Sequence, residues 1–176
     1  LERVDVTTAT RSFGTVPAGG TAWSQGAFAF TLDLAAWGGE TIPLRLDATN
    51  GLQTWTSLAE ITVHGPRAVF NRAVFAGPGG DLDPGDSGAL TLDLVNGGNL
   101  AAGGVTATLA CASNWVDVTD PDGAFGPIPA GQAGTQTDPF AVSIATDCYP
   151  GHVATFTVDL VYASGATQRL TFQETV

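Results

Sequence analysis

The sequence predicts an all-β protein built of antiparallel strands, and three observations support this prediction. Short segments alternate between apolar and polar residues with a period of two, most clearly at residues 89–95 and 153–160. Most of the 23 glycines stand between such segments, as in chains with many tight turns. No stretch of ten residues shows helical periodicity between start and stop signals.

An internal repeat with an offset of 112 positions defines the organisation of the chain. Thirteen of the 44 residues from Val4 to Asp47 are identical to those from Val116 to Asp159, and the alignment needs no gap. Residues 66–112 stand before the second copy and have no counterpart before the first. The sequence therefore predicts one complete repeat preceded by the C-terminal half of another.

We name these two parts the half-unit, residues 1–65, and the complete unit, residues 66–176. Pro66 follows Gly65 and ends the preceding strand, so that the two parts are joined by a short connector. Because the chain begins at Leu1 in the middle of a repeat, we expect a processed or excerpted chain rather than a complete translation product.

The predicted strands fall at matching places in the two parts. Those of the half-unit are 28–34, 40–47 and 58–63, and their counterparts in the complete unit are 140–145, 152–162 and 169–176. The complete unit adds strands at 68–76, 89–96, 104–112 and 115–118. Hairpin turns are expected at Asn50-Gly51 and Ser164-Gly165. Seven short strands in one unit predict an immunoglobulin-like antiparallel β-sandwich.

The charge of the chain argues against two classes of partner. Seventeen acidic residues against six arginines, with no lysine, give a formal charge of −11. A phosphate backbone would be repelled, so we expect no nucleic-acid binding. No apolar stretch approaches the roughly 20 residues that cross a bilayer, so we expect no membrane insertion.

Several motifs of the complete unit form a recognisable series. Gly-Gly-Asp-Leu-Asp-Pro-Gly-Asp at 79–86 is followed by a strand ending in Asn96-Gly97-Gly98, by the turn Pro129-Ala130-Gly131 and by Pro150-Gly151. With these motifs the unit resembles the immunoglobulin-like repeats of large bacterial secreted and cell-surface proteins. These are the NEW3- and CARDB-type modules found beside gingipain-like peptidases. The resemblance implies a non-catalytic module at an extracellular or cell-surface location.

The acidic loop of this series is a candidate metal site. Asp81, Asp83 and Asp86 place three carboxylates within six residues on a glycine-rich turn, and Ca²⁺ prefers several oxygen ligands. The alternative is a solvated turn in which the aspartates accept hydrogen bonds from nearby backbone N–H groups. A weaker acidic cluster comprises Asp117, Asp120 and Asp122.

Two cysteines, Cys111 and Cys148, both lie in the complete unit. Ala36 aligns with Cys148, so the half-unit lacks a cysteine where it also lacks the segment that would carry the partner. This pattern predicts a disulfide within one unit, which would favour an extracytoplasmic location. Two free buried thiols are the alternative.

The remaining residue types give weaker signals. Four tryptophans could stack on sugar rings or pack inside the fold, namely Trp23, Trp37, Trp55 and Trp115. The two histidines, His64 and His152, occupy non-equivalent positions without zinc-ligand spacing. Because no Gly-x-Ser-x-Gly nucleophile elbow is present either, we expect no enzymatic activity.

The half-unit itself is the main candidate for an interaction surface. Alone it would expose an apolar face made of Phe28, Phe30, Leu32 and Leu34, together with unpaired strand edges. The face could be covered by an upstream segment, by strands of a neighbouring chain, or by packing on the complete unit. We therefore expect a structural module that associates with itself or with a neighbouring immunoglobulin-like domain. The alternative is a glycan- or calcium-binding accessory domain of a secreted hydrolase or peptidase.

Overall fold

The computed structural model describes residues 4–32 and 38–176, which form strands and turns. The strands are β1 Val4–Thr8, β2 Ala29–Leu32, β3 Thr41–Thr49, β4 Thr54–Thr62, β5 Ala68–Ala76, β6 Ser87–Asn96, β7 Val105–Cys111, β8 Val116–Asp120, β9 Asp122–Phe125, β10 Ala133–Asp138, β11 Phe140–Ile144, β12 Val153–Tyr162 and β13 Thr167–Thr175. The chain divides into two compact regions, 1–36 and 37–176. The predicted all-β class is confirmed.

In the region 37–176, residues 66–176 form two groups of antiparallel strands. One group has the order β5-β6-β11-β8 and the other β9-β7-β12-β13, and β10 joins them by pairing with both β6 and β9. The strands β3 and β4 form a separate hairpin in the same region. The pairing is consistent with the predicted β-sandwich.

The hydrophobic core takes alternate residues from both groups of strands. Leu90, Leu92 and Leu94 of β6 are buried together with the inward side chains of β7, β11 and β12. The Phe172 ring of β13 stacks on Phe70 of β5, with ring centroids 4.7 Å apart. Burying one such side chain stabilises the fold by about 1.5–3 kcal/mol.

The internal repeat is visible in the strand registers of the first region. Each β1–β2 residue pair becomes a β8–β11 pair when 112 is added to both numbers. Val4, for example, pairs with Leu32, and Val116 pairs with Ile144. Both strand pairs carry a register shift at the equivalent place.

The hairpin β3–β4 reproduces the hairpin β12–β13 when 112 is added on β3 and 113 on β4, because the turn of the complete unit is one residue longer. Asp47 pairs with Thr56, and the equivalent Asp159 pairs with Arg169. Both hairpins also begin alike, since the N–H of Gly39 donates to the Val63 carbonyl and that of Gly151 to the Val176 carbonyl. The half-unit thus contains the same two strand pairs as the second half of the complete unit.

Three strands were not predicted, namely β1, β9 and β10. The sequence of β10, Ala-Gly-Thr-Gln-Thr-Asp, has no apolar alternation, and it becomes a strand because β6 and β9 lie on either side of it. The equivalent residues 21–26 of the half-unit form no strand. The reason is that the half-unit has no counterpart of β6.

The connector after the hairpin β3–β4 is held by the loop that follows β6. The side-chain amide of Asn99 donates to the Val63 carbonyl at 3.1 Å, and its oxygen accepts the Gly65 N–H at 3.0 Å. A Cβ atom at Gly38 would collide with the Gly65 backbone, so only glycine fits there. In the described ranges, no helix has the length and hydropathy that a membrane crossing requires.

Candidate functional site

The strand β2 presents an apolar face to solvent. Phe28, directly before β2, and Phe30 and Leu32 within it lie on one side, because side chains alternate between the faces of an extended chain. They are 36%, 41% and 40% exposed. The ring of Phe13 lies 6.5 Å from that of Phe28 and covers it in part. The fourth predicted residue, Leu34, lies outside the described residues.

The equivalent face of β11 is completely buried. Phe140, Val142 and Ile144 occupy the positions of Phe28, Phe30 and Leu32, and they are 0%, 1% and 2% exposed. The strand β11 has β8 on one edge and β6 on the other. Among the strands described, β2 pairs with β1 alone. The face and one edge of β2 are therefore open where those of β11 are closed.

The hairpin β3–β4 has a second open apolar face, which sequence reasoning did not include in the interaction surface. Leu44 of β3 is half-buried and Leu46 is exposed, whereas the equivalent Phe156 and Val158 of β12 are 0% exposed. The available signal was the alternation of Ile42, Leu44 and Leu46 combined with the repeat offset. Within the described chain β3 pairs with β4 alone, whereas β12 pairs with both β13 and β7.

The opposite face of the same hairpin is polar. Arg45 Nε donates to the Asp47 carboxylate at 3.0 Å, and the Thr56 hydroxyl donates to it at 2.6 Å. These bonds, that of Thr56 first, lower the pKa of Asp47. The equivalent Asp159 accepts two bonds from Arg169, at 2.6 and 2.8 Å. Both hairpins thus turn a charged face to solvent.

The three candidate calcium ligands are not brought together. Backbone bonds from Asp83 to the Asp81 carbonyl and from Asp86 to the Asp83 carbonyl turn the loop between them. A Cβ atom at Gly79 would lie 3.0 Å from an Asp83 carboxylate oxygen and 4.0 Å from one of Asp86. Asp81 instead lines a cavity of about 300 Å³ with Glu174, whose pKa is raised by burial.

No metal-binding group is present in the part of the chain that the structure describes. No three aspartate, glutamate, histidine or cysteine side chains stand where they could hold one ion. This applies to Asp81, Asp83 and Asp86 and equally to the weaker cluster around Asp117. The calcium site therefore stays a prediction.

The two cysteines are free thiols in the structure rather than a disulfide. Cys148 is buried and Cys111 is half-buried at the end of β7. Burial raises the pKa of the Cys111 thiol, which weakens its reactivity. The disulfide stays a prediction, which thiol counting in denaturant tests. Two reactive thiols per chain match the structure, and none would establish the bond.

A cluster of three rings joins two loops of the complete unit and was not predicted. The ring centroids of Trp115, Tyr149 and His152 lie 4.9 to 5.4 Å apart with edge-to-face geometry. His152 also bonds the Ser113 hydroxyl at 2.8 Å and the Tyr149 hydroxyl at 3.1 Å.

The hydrogen bonds of this cluster tie the loop of Ser113 to the side chain of His152. The Ser113 hydroxyl accepts the Trp115 N–H, so it also caps its own loop. A serine next to a histidine base is one component of a nucleophilic site. Here the edge-to-face contacts with Trp115 and Tyr149 hold the His152 ring in place. The cluster could not be predicted from the sequence, because Ser113 and His152 are 39 positions apart and do not belong to one motif.

Three of the four tryptophans belong to the described residues, each in a different part of the chain. Trp23 is 93% exposed, and Trp55 stands on the apolar face of the hairpin β3–β4 with 53% exposure. Trp115 belongs to the ring cluster of the complete unit. The fourth, Trp37, lies outside the described residues.

Comparison with known proteins gives no family for this chain. No family model matches it, and no curated protein matches it. Among solved structures, it is similar to the crystal structure of a FixG-related protein from Vibrio parahaemolyticus, with 12% identity and a TM-score of 0.31. That match covers 63% of this chain and 94% of the other.

Proposed function

We propose that this chain is a non-catalytic structural segment of an extracellular or cell-surface assembly, in which strands from a neighbouring chain or an upstream segment complete the half-unit. One observation carries the proposal. The half-unit and the complete unit share strand pairs and registers, yet Phe28 and Phe30 are exposed where Phe140 and Val142 are buried. An apolar face that is exposed here, while its equivalent in the complete unit is buried, is typical of a surface that a partner covers in an assembly.

The strand order supports an immunoglobulin-like architecture for the complete unit. The group β5-β6-β11-β8 follows the order A-B-E-D of that fold, and β7-β12-β13 follows C-F-G. The extracellular placement is supported by the resemblance to bacterial secreted repeats at residues 79–98 and 125–131. The charge of −11 is compatible with a chain that avoids non-specific association.

Light scattering over a range of concentrations tests the proposal. We expect the mass of the particle to rise above the 17.9 kDa of one chain as the open apolar faces meet. Phe30→Asp should prevent this rise, because it places a charge in the middle of the β2 face. Leu100→Asp is the matched control, since Leu100 is similarly exposed but lies outside the half-unit. A single-chain mass at every concentration would contradict self-assembly.

A glycan-binding accessory domain is the second candidate function. The exposure of Trp23 and Trp55 favours it, because exposed indoles can stack on sugar rings. A glycan array probed with the native chain and with Trp55→Ala tests it. Binding that Trp55→Ala abolishes would support the accessory function, and no bound glycan would reject it.

A further inference from the structure

We infer that the open edge of β2 accepts an extended segment with the alternating sequence of β6, supplied from outside these 176 residues. The incoming strand lies antiparallel to β2, in the register that joins β6 to β11. The inference rests on the proposed function and names the partner that the function requires. It follows from the internal repeat, because the second copy shows what covers the same strand.

The register of the partner can be read from the complete unit. There Phe140 pairs with Leu90 and Ser143 pairs with Ser87. Subtracting 112 places the same partners opposite Phe28 and Thr31 of β2. Because β1–β2 and β8–β11 agree pair by pair, this transfer requires no shift of either strand.

Side-chain alternation sets the chemistry of the incoming strand. Leu90, Leu92 and Leu94 of β6 point into the core and are 1%, 0% and 0% exposed. A partner of β2 therefore needs large apolar residues at every second position, next to Phe28 and Phe30. It would also satisfy the backbone N–H and C=O groups along the open edge of β2.

The open edge of β3 requires a second incoming strand, separate from the one that pairs with β2. In the complete unit β7 lies along β12, with Cys111 opposite Phe156 and Val105 opposite Tyr162. The equivalent residues are Leu44 of β3 and Asn50, which directly follows β3, and they mark the ends of the stretch that a β7-type strand would pair with. A donor that contains strands of both types would carry a partner for each of the two open edges.

A second copy of this chain cannot be the regular donor. The sequence contains one segment of the β5–β7 type, residues 68–111, and two segments that need one. That donor segment is already engaged, since β6 pairs with β11 and β7 pairs with β12 in the same chain. A copy that gave its β6 to a neighbour would expose its own core. Each half-unit completed in this way would therefore leave one complete unit without its β6 strand.

An extended chain tests the inference in cis. A second copy of residues 66–112 is added before Leu1, so that its last residue is joined directly to Leu1. Leu1 aligns with Ser113, so the distance along the chain from the added segment to Val4 equals the distance from residue 112 to Val116. The added copy carries Cys111→Ala, so that it introduces no new thiol. We expect amide hydrogen exchange in β2 and β3 to slow by roughly tenfold or more relative to the native chain.

The matched control is the same extended chain with Leu92→Asp in the added copy only. A charge at this position is incompatible with a buried strand, so β2 and β3 should exchange as fast as in the native chain. Unchanged exchange in the extended chain without Leu92→Asp would overturn the inference, provided that the original complete unit stays protected.

A synthetic peptide of residues 85–98 supplies the same strand in trans, and light scattering of the native chain runs beside it. Slowed exchange in β2 at saturating peptide supports the inference. If neither the peptide nor the added copy protects β2, but the chain still associates in a manner that Phe30→Asp abolishes, the inference fails and the proposed function stands. If association is absent as well, both fail.

Discussion

At Gly123 the packing of the complete unit leaves no room for a side chain. A Cβ atom at this position would overlap Gln136 Nε2 and would lie 2.7 Å from the Phe140 ring, which is 0% exposed. We expect Gly123→Ala to lower the free energy of unfolding by about 1–3 kcal/mol, because the ring cannot move without strain. Gly126→Ala is the control, since its Cβ atom meets open space, and a urea titration of both variants measures the difference.

Asp93 makes the stability of the core depend on pH. Its carboxylate accepts hydrogen bonds from the Thr135 hydroxyl and the Arg72 guanidinium, which together lower the pKa of Asp93. Since the unfolded carboxyl has the higher pKa, this stabilisation is present above about pH 4 and is lost as the pH falls below it.

Asp93→Asn should therefore lower the free energy of unfolding at pH 7 by about 1.5–3 kcal/mol. The difference from the native chain should shrink towards pH 3. For Asp159→Asn, which removes an exposed ion pair, we expect a clearly smaller loss than for Asp93→Asn. Equal losses for the two variants in denaturant titrations at pH 7 would contradict this assignment.

At the scale of elements, the start of β5 depends on side chains of the hairpin β12–β13. The Ala68 N–H donates to the Tyr162 hydroxyl at 2.8 Å and to Gln168 Oε1 at 3.0 Å, and the Ala68 carbonyl accepts from Gln168 Nε2 at 2.6 Å. Gln168→Ala should cost about 1–3 kcal/mol of unfolding free energy, because it removes the side-chain donor to the Ala68 carbonyl and one of the two acceptors of the Ala68 N–H.

Gln173→Ala is the control for this prediction. Gln173 lies on the same strand, and its side chain makes an exposed bond to the Thr155 hydroxyl at 3.1 Å. A surface substitution of this kind should change the unfolding free energy by no more than about 0.5 kcal/mol. If thermal unfolding shows equal effects of the two variants, β5 is not held by Gln168.

Strands with clear apolar alternation could be predicted from the sequence, and strands that depend on their neighbours could not. β6 and β12 were predicted within a few residues, because their apolar faces are strictly periodic. β10 was missed because only pairing with β6 and β9 makes it a strand. β1 could have been predicted, since Val4-Asp5-Val6-Thr7 is identical to the start of β8.

The candidate sites differ in the same respect: a site set by strand alternation could be predicted, and sites set by loop conformation could not. The open face of β2 could be predicted, because burial in a strand follows from alternation and the repeat shows which strands are missing. The directions of the Asp81, Asp83 and Asp86 side chains depend on the turns of one loop, which spacing alone does not determine. The contact of Ser113 with His152 depends on two distant loops meeting, which no local pattern records.

At the scale of the whole molecule, the repeat relates fold to assembly. Two copies of one strand arrangement, joined in a single chain, differ in whether the strands β5 to β7 have a counterpart. The complete unit closes its own core, whereas the half-unit exposes the same face. We therefore propose that residues 1–65 acquire their stable form only when strands from outside are added.

Amide hydrogen exchange on the native chain tests this claim most directly, at a concentration where light scattering gives the mass of one chain. We expect β11 and β12 to be protected almost to the level of global unfolding, and the equivalent β2 and the unpaired edge of β3 to exchange close to the rate of an open chain. Equal protection of β2 and β11 in the single chain would contradict the account, because the half-unit would then be closed without a partner.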